Sequence, residues 1–370
     1  MLSALRSFAR LDEEVVDEGG VVWDGNTPGG ELLNAGQSEA VRAALTHPLV
    51  SIWGPPGTGK TQTIVEILLG LQQKFPAERI LVTAPTHNAV DNVMRRFAKS
   101  PRIDEASQQT EPASLVPLTK GCRRAVLVGD HVQLRPTVQP VTAALTYDVS
   151  LFERLYTSGG GRGGVRTCML NTQYRMHPVI SEFSSREFYG GELRTGISSQ
   201  DWPLAASAFP WPPKTSPQGG GGGKEEDVSR TIFIECAGRE DLGQKSKRNQ
   251  GQAELCRRVC QLLLDAPPSS STTTTGPTTD KKPKTKQSIA VLTPYTTQMT
   301  LLKSSTAALA GLEGGGSAIE VSSIDGFQGR EADIVVSEEN AAGMLWKRLL
   351  ESLTRVEVDE AAEMKRERLG

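Results

Sequence analysis

One octapeptide limits what this chain can fold into. GPPGTGKT, Gly54 to Thr61, follows the apolar run LVSIW and precedes TQTIVEILLGLQQKF, in which Ile64, Ile67, Leu68, Leu71 and Phe75 share one helical face. Strand, glycine-rich loop and helix in that order make the phosphate-loop pattern G-x-x-x-x-G-K-[ST]. Its glycines let backbone N–H groups turn inward toward phosphate oxygens, and the following helix offers its positive end. Lys60 is placed to reach β and γ phosphates, and the Thr61 hydroxyl to ligate Mg²⁺. Gly54, Pro55, Pro56, Gly57, Thr58, Gly59, Lys60 and Thr61 therefore read as a site for ATP or GTP.

The alternation continues beyond the loop. RILVTAP (79–85) reads as a strand, HNAVDNVMRRFA as a helix and RAVLVGD as a strand, which predicts an α/β fold with a parallel sheet covered on both faces. The stretch TSGGGRGG separates this block from a second. There TCMLNTQYRM, TIFIECA, SIAVLTPY and AIEVSSIDGFQGREADIVVS supply strands, and QAELCRRVCQLLLD supplies a helix. The expected organisation is an N-terminal extension over 1–33, a first domain over 34–164, a second over 165–356 and a charged tail over 357–370. Two tracts, about 213–228 and 266–287, hold too few apolar residues to offset the entropy of ordering and read as disordered inserts.

A chain of 370 residues has room for two such domains. Its 41 basic and 43 acidic residues are balanced, so any grip on a polyanion must come from a local groove rather than from overall charge. The cysteines Cys122, Cys168, Cys236, Cys256 and Cys260 form no CxxC pair, as expected of reduced thiols. Cys256 and Cys260 lie one helical turn apart and read as core. No apolar stretch is long enough for a signal peptide or a membrane span, so the expected setting is cytoplasmic or nuclear, with no membrane partner.

A second element of nucleotide chemistry is the string DEASQ. Asp104 is read as holding Mg²⁺, mostly through water, and Glu105 as orienting and deprotonating an attacking water. Such a pair belongs at the end of a buried strand, but Lys99, Ser100, Pro101 and Arg102 stand in its place. Pro101 can donate no ladder hydrogen bond. The strand leading to Asp104 is expected to be short or irregular.

Taken in order, LNAGQSEAV, GPPGTGKT, TAPTHNAVDNV, DEASQ, GDHVQL, NTQYRMHPVISEF and SSIDGFQGREADIVV resemble the motifs of superfamily 1 helicases. The up-frameshift and immunoglobulin-mu-binding-protein (DNA2/NAM7-like) branch is the most similar. The resemblance implies two RecA-like P-loop domains with parallel sheets, ATP and Mg²⁺ as cofactors, and single-stranded RNA or DNA as partner. It also implies roles. Gln37 reads the adenine edge, Tyr174 stacks on the base, and Glu331 contacts the nucleotide. Gln133 links the γ-phosphate to nucleic acid. Arg175 is an arginine finger from the second domain, and Pro85, Thr86 and Asn88 touch the bound strand. Amide, ring and guanidinium suit these tasks chemically.

Two departures accompany the resemblance. The family carries a long segment, often with a barrel or stalk subdomain, between TAPTHNAVDNV and the Asp-Glu pair; here only Asn92 to Ile103 lie between Asp91 and Asp104, so that subdomain is expected to be missing. The family's last motif supplies a further finger arginine, and KRLLESLTRV (347–356) keeps Arg348, Leu349, Leu353, Thr354 and Arg355 in register with it. An amphipathic C-terminal helix explains the same residues equally well. Because a finger contributes roughly 10³–10⁵ in rate, the difference bears on whether the chain is a motor or a truncated, nucleotide-binding remnant of one.

Overall fold

The computed structural model describes residues 33–84, 97, 110–119, 122–136, 138, 148–157, 165–198, 206, 209–211, 230–236, 238, 240–242, 246–266, 287–310, 319–337 and 354–357. The chain divides into two compact units, Met1–Ser198 and Ser199–Gly370.

In the first unit, helix α1 (Ala35–Thr46) starts from a reciprocal cap: the Asn34 side chain accepts from the Gln37 N–H, and the Gln37 side chain accepts from the Asn34 N–H. Strand β1 (Leu49–Trp53) leads into the glycine-rich loop and helix α2 (Lys60–Lys74). Helix α3 (Glu111–Leu118), strand β2 (Ala125–Gly129), helix α4 (Leu151–Thr157) and strand β3 (Arg166–Met169) follow. After them come the short strand β4 (Thr172–Gln173), helix α5 (Pro178–Phe188) and β5 (Arg194–Thr195), which pairs with β4. The main sheet runs β2-β1-β3 and is parallel throughout, with Leu49 opposite Ala125 and Val50 opposite Arg166. Successive side chains of β1 point to opposite faces of the sheet and Leu49, Val50, Ser51 and Ile52 are all buried, so both faces are covered, which is why LVSIW is nearly continuous in apolar residues. Val50 and Ile52 are fully buried, packed with Ala40, Val41 and Ala44 of α1 and Ile67 of α2.

In the second unit, β9 (Ile289–Thr293) is the central strand of another parallel sheet, β10-β9-β11, with β10 at Ile319–Ser323 and β11 at Ile334–Ser337. Strand β6 (Ile232–Glu235), the hairpin of β7 (Asp241–Leu242) and β8 (Lys247–Arg248), helix α6 (Gln250–Asp265) and helix α7 (Thr296–Ala310) complete it, together with β12 (Thr354–Glu357). Cys256, Cys260, Leu263, Val291 and Leu302 form its core, so the two cysteines pack as expected. A buried amide strap joins the two helices: Gln298 accepts from the Asn249 N–H at 2.8 Å and donates to the Asn249 carbonyl at 3.1 Å. The Asp333 carboxylate accepts from both the N–H and the hydroxyl of Ser288, tying the start of β11 to that of β9.

The α/β fold with parallel sheets is as expected; several details are not. The first unit extends beyond the expected boundary at residue 164, because Arg166–Met169 pairs with β1. Arg79–Ala84, expected as a strand, takes no strand conformation, and Ile80 and Leu81 are 41% and 66% exposed. Both edges of β1 are already occupied, and no described strand lies alongside the segment to pair with it. At the C-terminal end, Thr354–Glu357 forms β12, parallel to β6, which rules out a helix across those residues. Pro85, Thr86, Asn88, the helix expected after them apart from the helical Phe97, and the Asp104 strand lie outside the described residues, as do the Gly/Ser/Thr-rich tracts 213–228 and 267–286. Among the described residues no helix is long and apolar enough to cross a membrane.

The two cores make a direct expectation. Ile52→Ala and Leu302→Ala each remove a fully buried side chain and should cost about 2–5 kcal/mol. Amide hydrogen exchange should show the loss of protection in β1–β3 for the first substitution and in β9–β11 for the second.

Candidate functional site

The site is built where β1, β2 and β3 end on the same side of their sheet, the usual place for a ligand in a parallel α/β layer. Beyond β1 the loop turns at Gly57 and Gly59, with φ of 74° and 76°, backbone that a side chain would strain. Gly59 is the residue before α2, and no side chain caps that helix, so its first N–H groups face the loop. Thr58 closes the turn by donating its hydroxyl to the Pro55 carbonyl at 2.7 Å. Lys60 is buried; its stem lies over Gly54 and its Nζ donates to the Gly54 carbonyl at 2.8 Å. Thr61 sits in the first turn of α2. Turned glycines, an uncapped helix start and a lysine held against the loop fit a triphosphate.

Two predicted residues come to this loop from the segment after β3. The Tyr174 N–H donates to the Gly57 carbonyl at 2.9 Å, and a Cβ placed on Gly57 would come within 2.5 Å of the Arg175 Cβ. Arg175 therefore stands against the phosphate loop, but it belongs to the first unit rather than to the second domain as the sequence suggested. The reason is β3: its pairing with β1 carries residues 170–175 to the loop. Below the contact, the buried Gln173 side chain accepts from the N–H groups of Arg175 and Met176 and donates to the Met176 carbonyl, which fixes the turn. The Tyr174 ring is 42% exposed and crosses Gly196, where any side chain would collide with it. Its hydroxyl accepts from Asn34 Nδ2 at 3.1 Å.

Gln37 is 3% exposed and uses both ends of its amide. The oxygen accepts from Asn34 in the helix cap, and the nitrogen donates to the Thr58 carbonyl at 3.0 Å. Asn34, Gln37, Thr58 and Tyr174 thus form one chain of hydrogen bonds along the loop.

Beyond β2, Gln133 closes a turn onto the Asp130 carbonyl, and its side-chain nitrogen donates to the Asp130 carboxylate at 2.5 Å. Asp130 is 3% exposed and also accepts from Trp53 Nε1, the Val132 N–H and the Tyr189 hydroxyl. Burial, followed by the neighbouring Asp130 charge, pushes the Tyr189 pKa upward and keeps the phenol a donor. Trp53, His131, Phe152 and Tyr156 form a ring cluster beside them, and burial raises the Tyr156 pKa to about 12. Asn34, Trp53, Asp130 and Tyr189 were not singled out from the sequence; an acidic residue ending a buried strand three positions before a glutamine was the available signal for Asp130. Glu331 is exposed in the second unit, Arg355 lies on β12, and Asp104 and Glu105 are outside the described residues.

Comparison with known proteins places the chain in a family. A family model described as "AAA domain" matches residues 147–343, and another of the same description matches 32–102 and 103–140. The ATP-dependent helicase upf1 of Schizosaccharomyces pombe is 28% identical over 423 residues, covering 85% of this chain and 41% of that protein. ATP-dependent helicase NAM7 of Saccharomyces cerevisiae is 29% identical over 434 residues, covering 87% and 40%. Regulator of nonsense transcripts 1 of Dictyostelium discoideum is 32% identical over 246 residues, covering 63% and 15%. The chain belongs to the Upf1-like superfamily 1 helicases. It spans about two fifths of the length of the first two relatives.

Membership also locates the shortening. The alignment to upf1 runs 423 positions although only 85% of a 370-residue chain takes part, so that helicase carries residues this chain lacks. The family match to the first part of the chain is itself broken between Arg102 and Ile103, directly before Asp104.

Two outcomes follow from this geometry. Gly57→Ala should cost about 1–3 kcal/mol from left-handed backbone and displace Arg175, seen as a lower thermal midpoint with weaker nucleotide binding. His131 has its pKa lowered from 6.5, first by burial and then by Arg135 against the opposing pull of Asp130 and Glu153. The unfolded chain therefore binds its proton at higher pH than the folded one, and this contribution to stability is present above pH 6.5 and lost as pH falls below it. His131→Phe, which keeps an aromatic ring in the cluster, should flatten the fall of the thermal midpoint in that window.

Proposed function

We propose that this chain binds ATP with Mg²⁺ and hydrolyses it, coupling turnover to movement along single-stranded RNA or DNA, 5′ to 3′ by family resemblance, in the cytoplasm or nucleus. The observation that carries the reading is the direct seat of Tyr174 and Arg175 on the phosphate loop. A loop, a lysine on it and an arginine whose backbone lies against it are among the parts that phosphoryl transfer uses.

In this reading the loop N–H groups and the start of α2 take the phosphate oxygens, and Lys60 exchanges the Gly54 carbonyl for the β and γ phosphates. Arg175 meets the charge that develops on the transferred group. Tyr174 offers its exposed ring to the base. Gln37 exchanges the Thr58 carbonyl for the adenine edge, so base recognition loosens a bond that holds the loop. Mg²⁺ would be held by Thr61 and Asp104 and would neutralise charge on the phosphates. Glu105 would activate water, and Pro85, Thr86 and Asn88 would line the nucleic-acid path. Glu331 and Arg355 enter by resemblance alone.

A second reading has its own support. The break in the family match before Asp104 and the exposed Ile80 and Leu81 favour a chain that binds nucleotide without coupled movement. Steady-state ATP hydrolysis with and without single-stranded RNA and DNA separates the two. Strand-stimulated turnover that Lys60→Ala abolishes is the expected result for the motor. Lys60-dependent binding with no turnover selects the remnant.

A further inference from the structure

Asp130 has a place in the first unit that no motif role accounts for. It is a buried carboxylate just past β2, whose last residue, Gly129, accepts from the Gly54 N–H at 2.9 Å. Oδ1 accepts from the indole N–H of Trp53, the residue before Gly54, at 2.8 Å. Oδ2 accepts from the Tyr189 hydroxyl at 2.8 Å and from Gln133 Nε2. An ionised carboxylate only accepts hydrogen bonds, so an amide bound to it must present its nitrogen. The usual ambiguity between amide oxygen and nitrogen is removed here by the chemistry of the partner. A flipped Gln133 would set oxygen against oxygen. The opposite end of the amide, Oε1, is therefore the end turned away from Asp130.

We propose that Asp130 is a positioning residue that holds Gln133 oxygen-outward and ties it, through Trp53, to the root of the phosphate loop. What Gln133 then offers a bound nucleotide is first an acceptor, suited to a donor such as the attacking water, rather than a donor committed to a γ-phosphate oxygen. This deepens the ATP reading above and rests on it. Tyr189 shares the same carboxylate oxygen but sits after α5, and its hydrogen bond supports the fold without setting the amide.

The test uses the full chain and four substitutions. Asp130→Asn keeps an oxygen for Trp53 and Val132 but turns an amide nitrogen toward Gln133, so the amide must flip or let go. It should lower kcat for ATP about 10- to 100-fold, the scale of a misplaced reacting group, with KM for ATP little changed. The loss should vanish in a Gln133→Ala background, because effects carried through one residue are not additive. Tyr189→Phe should lower the thermal midpoint and leave kcat intact. A further loss in the Asp130→Asn/Gln133→Ala double variant, or a Tyr189→Phe that matches Asp130→Asn in kcat, would make Asp130 a structural residue only. If Asp130→Asn does not fold, Trp53→Phe carries the test: its fall in kcat should also vanish with Gln133→Ala, and an unchanged kcat overturns the proposal. If the wild type does not turn over ATP, the readout is its preference for a non-hydrolysable ATP analogue over ADP, which Asp130→Asn should remove. A wild-type preference that survives Asp130→Asn overturns this inference alone. A wild type with neither turnover nor preference overturns it together with the ATP reading.

Discussion

The first unit depends on β1 being paired on both sides, from Leu49 to Trp53 with β2 and from Val50 to Trp53 with β3. Parallel pairing with β2 and β3 brings the ends of three strands to one edge, and the residues beyond those ends make the site. The phosphate loop follows β1, the Asp130–Gln133 turn follows β2, and the Asn171–Arg175 segment follows β3. Hydrogen bonds across the edge hold the three in place: Gly54 to Gly129, Trp53 to Asp130, and Tyr174 to Gly57. The interior of β1 carries no charge, and its polar Ser51 is fully buried. A site of charged and polar side chains is thus assembled on the end of an apolar strand.

In the proposed reading, two of the site's hydrogen bonds are ones that a nucleotide would replace. Lys60 is held by a backbone carbonyl and Gln37 by another. Each group keeps a partner in the absence of ligand, which avoids the cost of burying a bare donor or charge. Each can also be drawn away by a stronger acceptor. A lysine ammonium resting on a neutral carbonyl gives it up readily to a phosphate, because hydrogen bonds between ionised partners are roughly twice as strong as neutral ones. The phosphate loop is therefore preorganised without being locked.

The short segment before Asp104 also bears on packing. With both edges of β1 taken, a strand formed by RILVTA could pair only at the outside of the sheet, and the residues before Asp104 lack the apolar run that would sit alongside it. Ile80 and Leu81 are exposed to solvent. Pattern alone reads these residues as a strand, since their composition is right for one. A strand exists by virtue of its neighbour, and the sequence of a single segment does not state whether the neighbour is there.

The sequence by itself determined the phosphate loop, the helix that follows it, the central strands of both sheets and the core position of Cys256 and Cys260. These are local matters: glycine spacing sets the loop, and apolar period sets strand or helix. The motif order was likewise enough to reach the helicase family. Tertiary structure alone decided that Arg175 stands in the first unit, because strand pairing between residues 110 or more positions apart leaves no trace in either segment. It also decided that Thr354–Glu357 is a strand, since LTRVE is as acceptable to a helix as to an edge beside β6. Finally, it revealed Asp130 and Tyr189 as partners 59 positions apart. Hydrogen bonds of that reach are fixed by where elements pack, and no spacing rule along the chain encodes them.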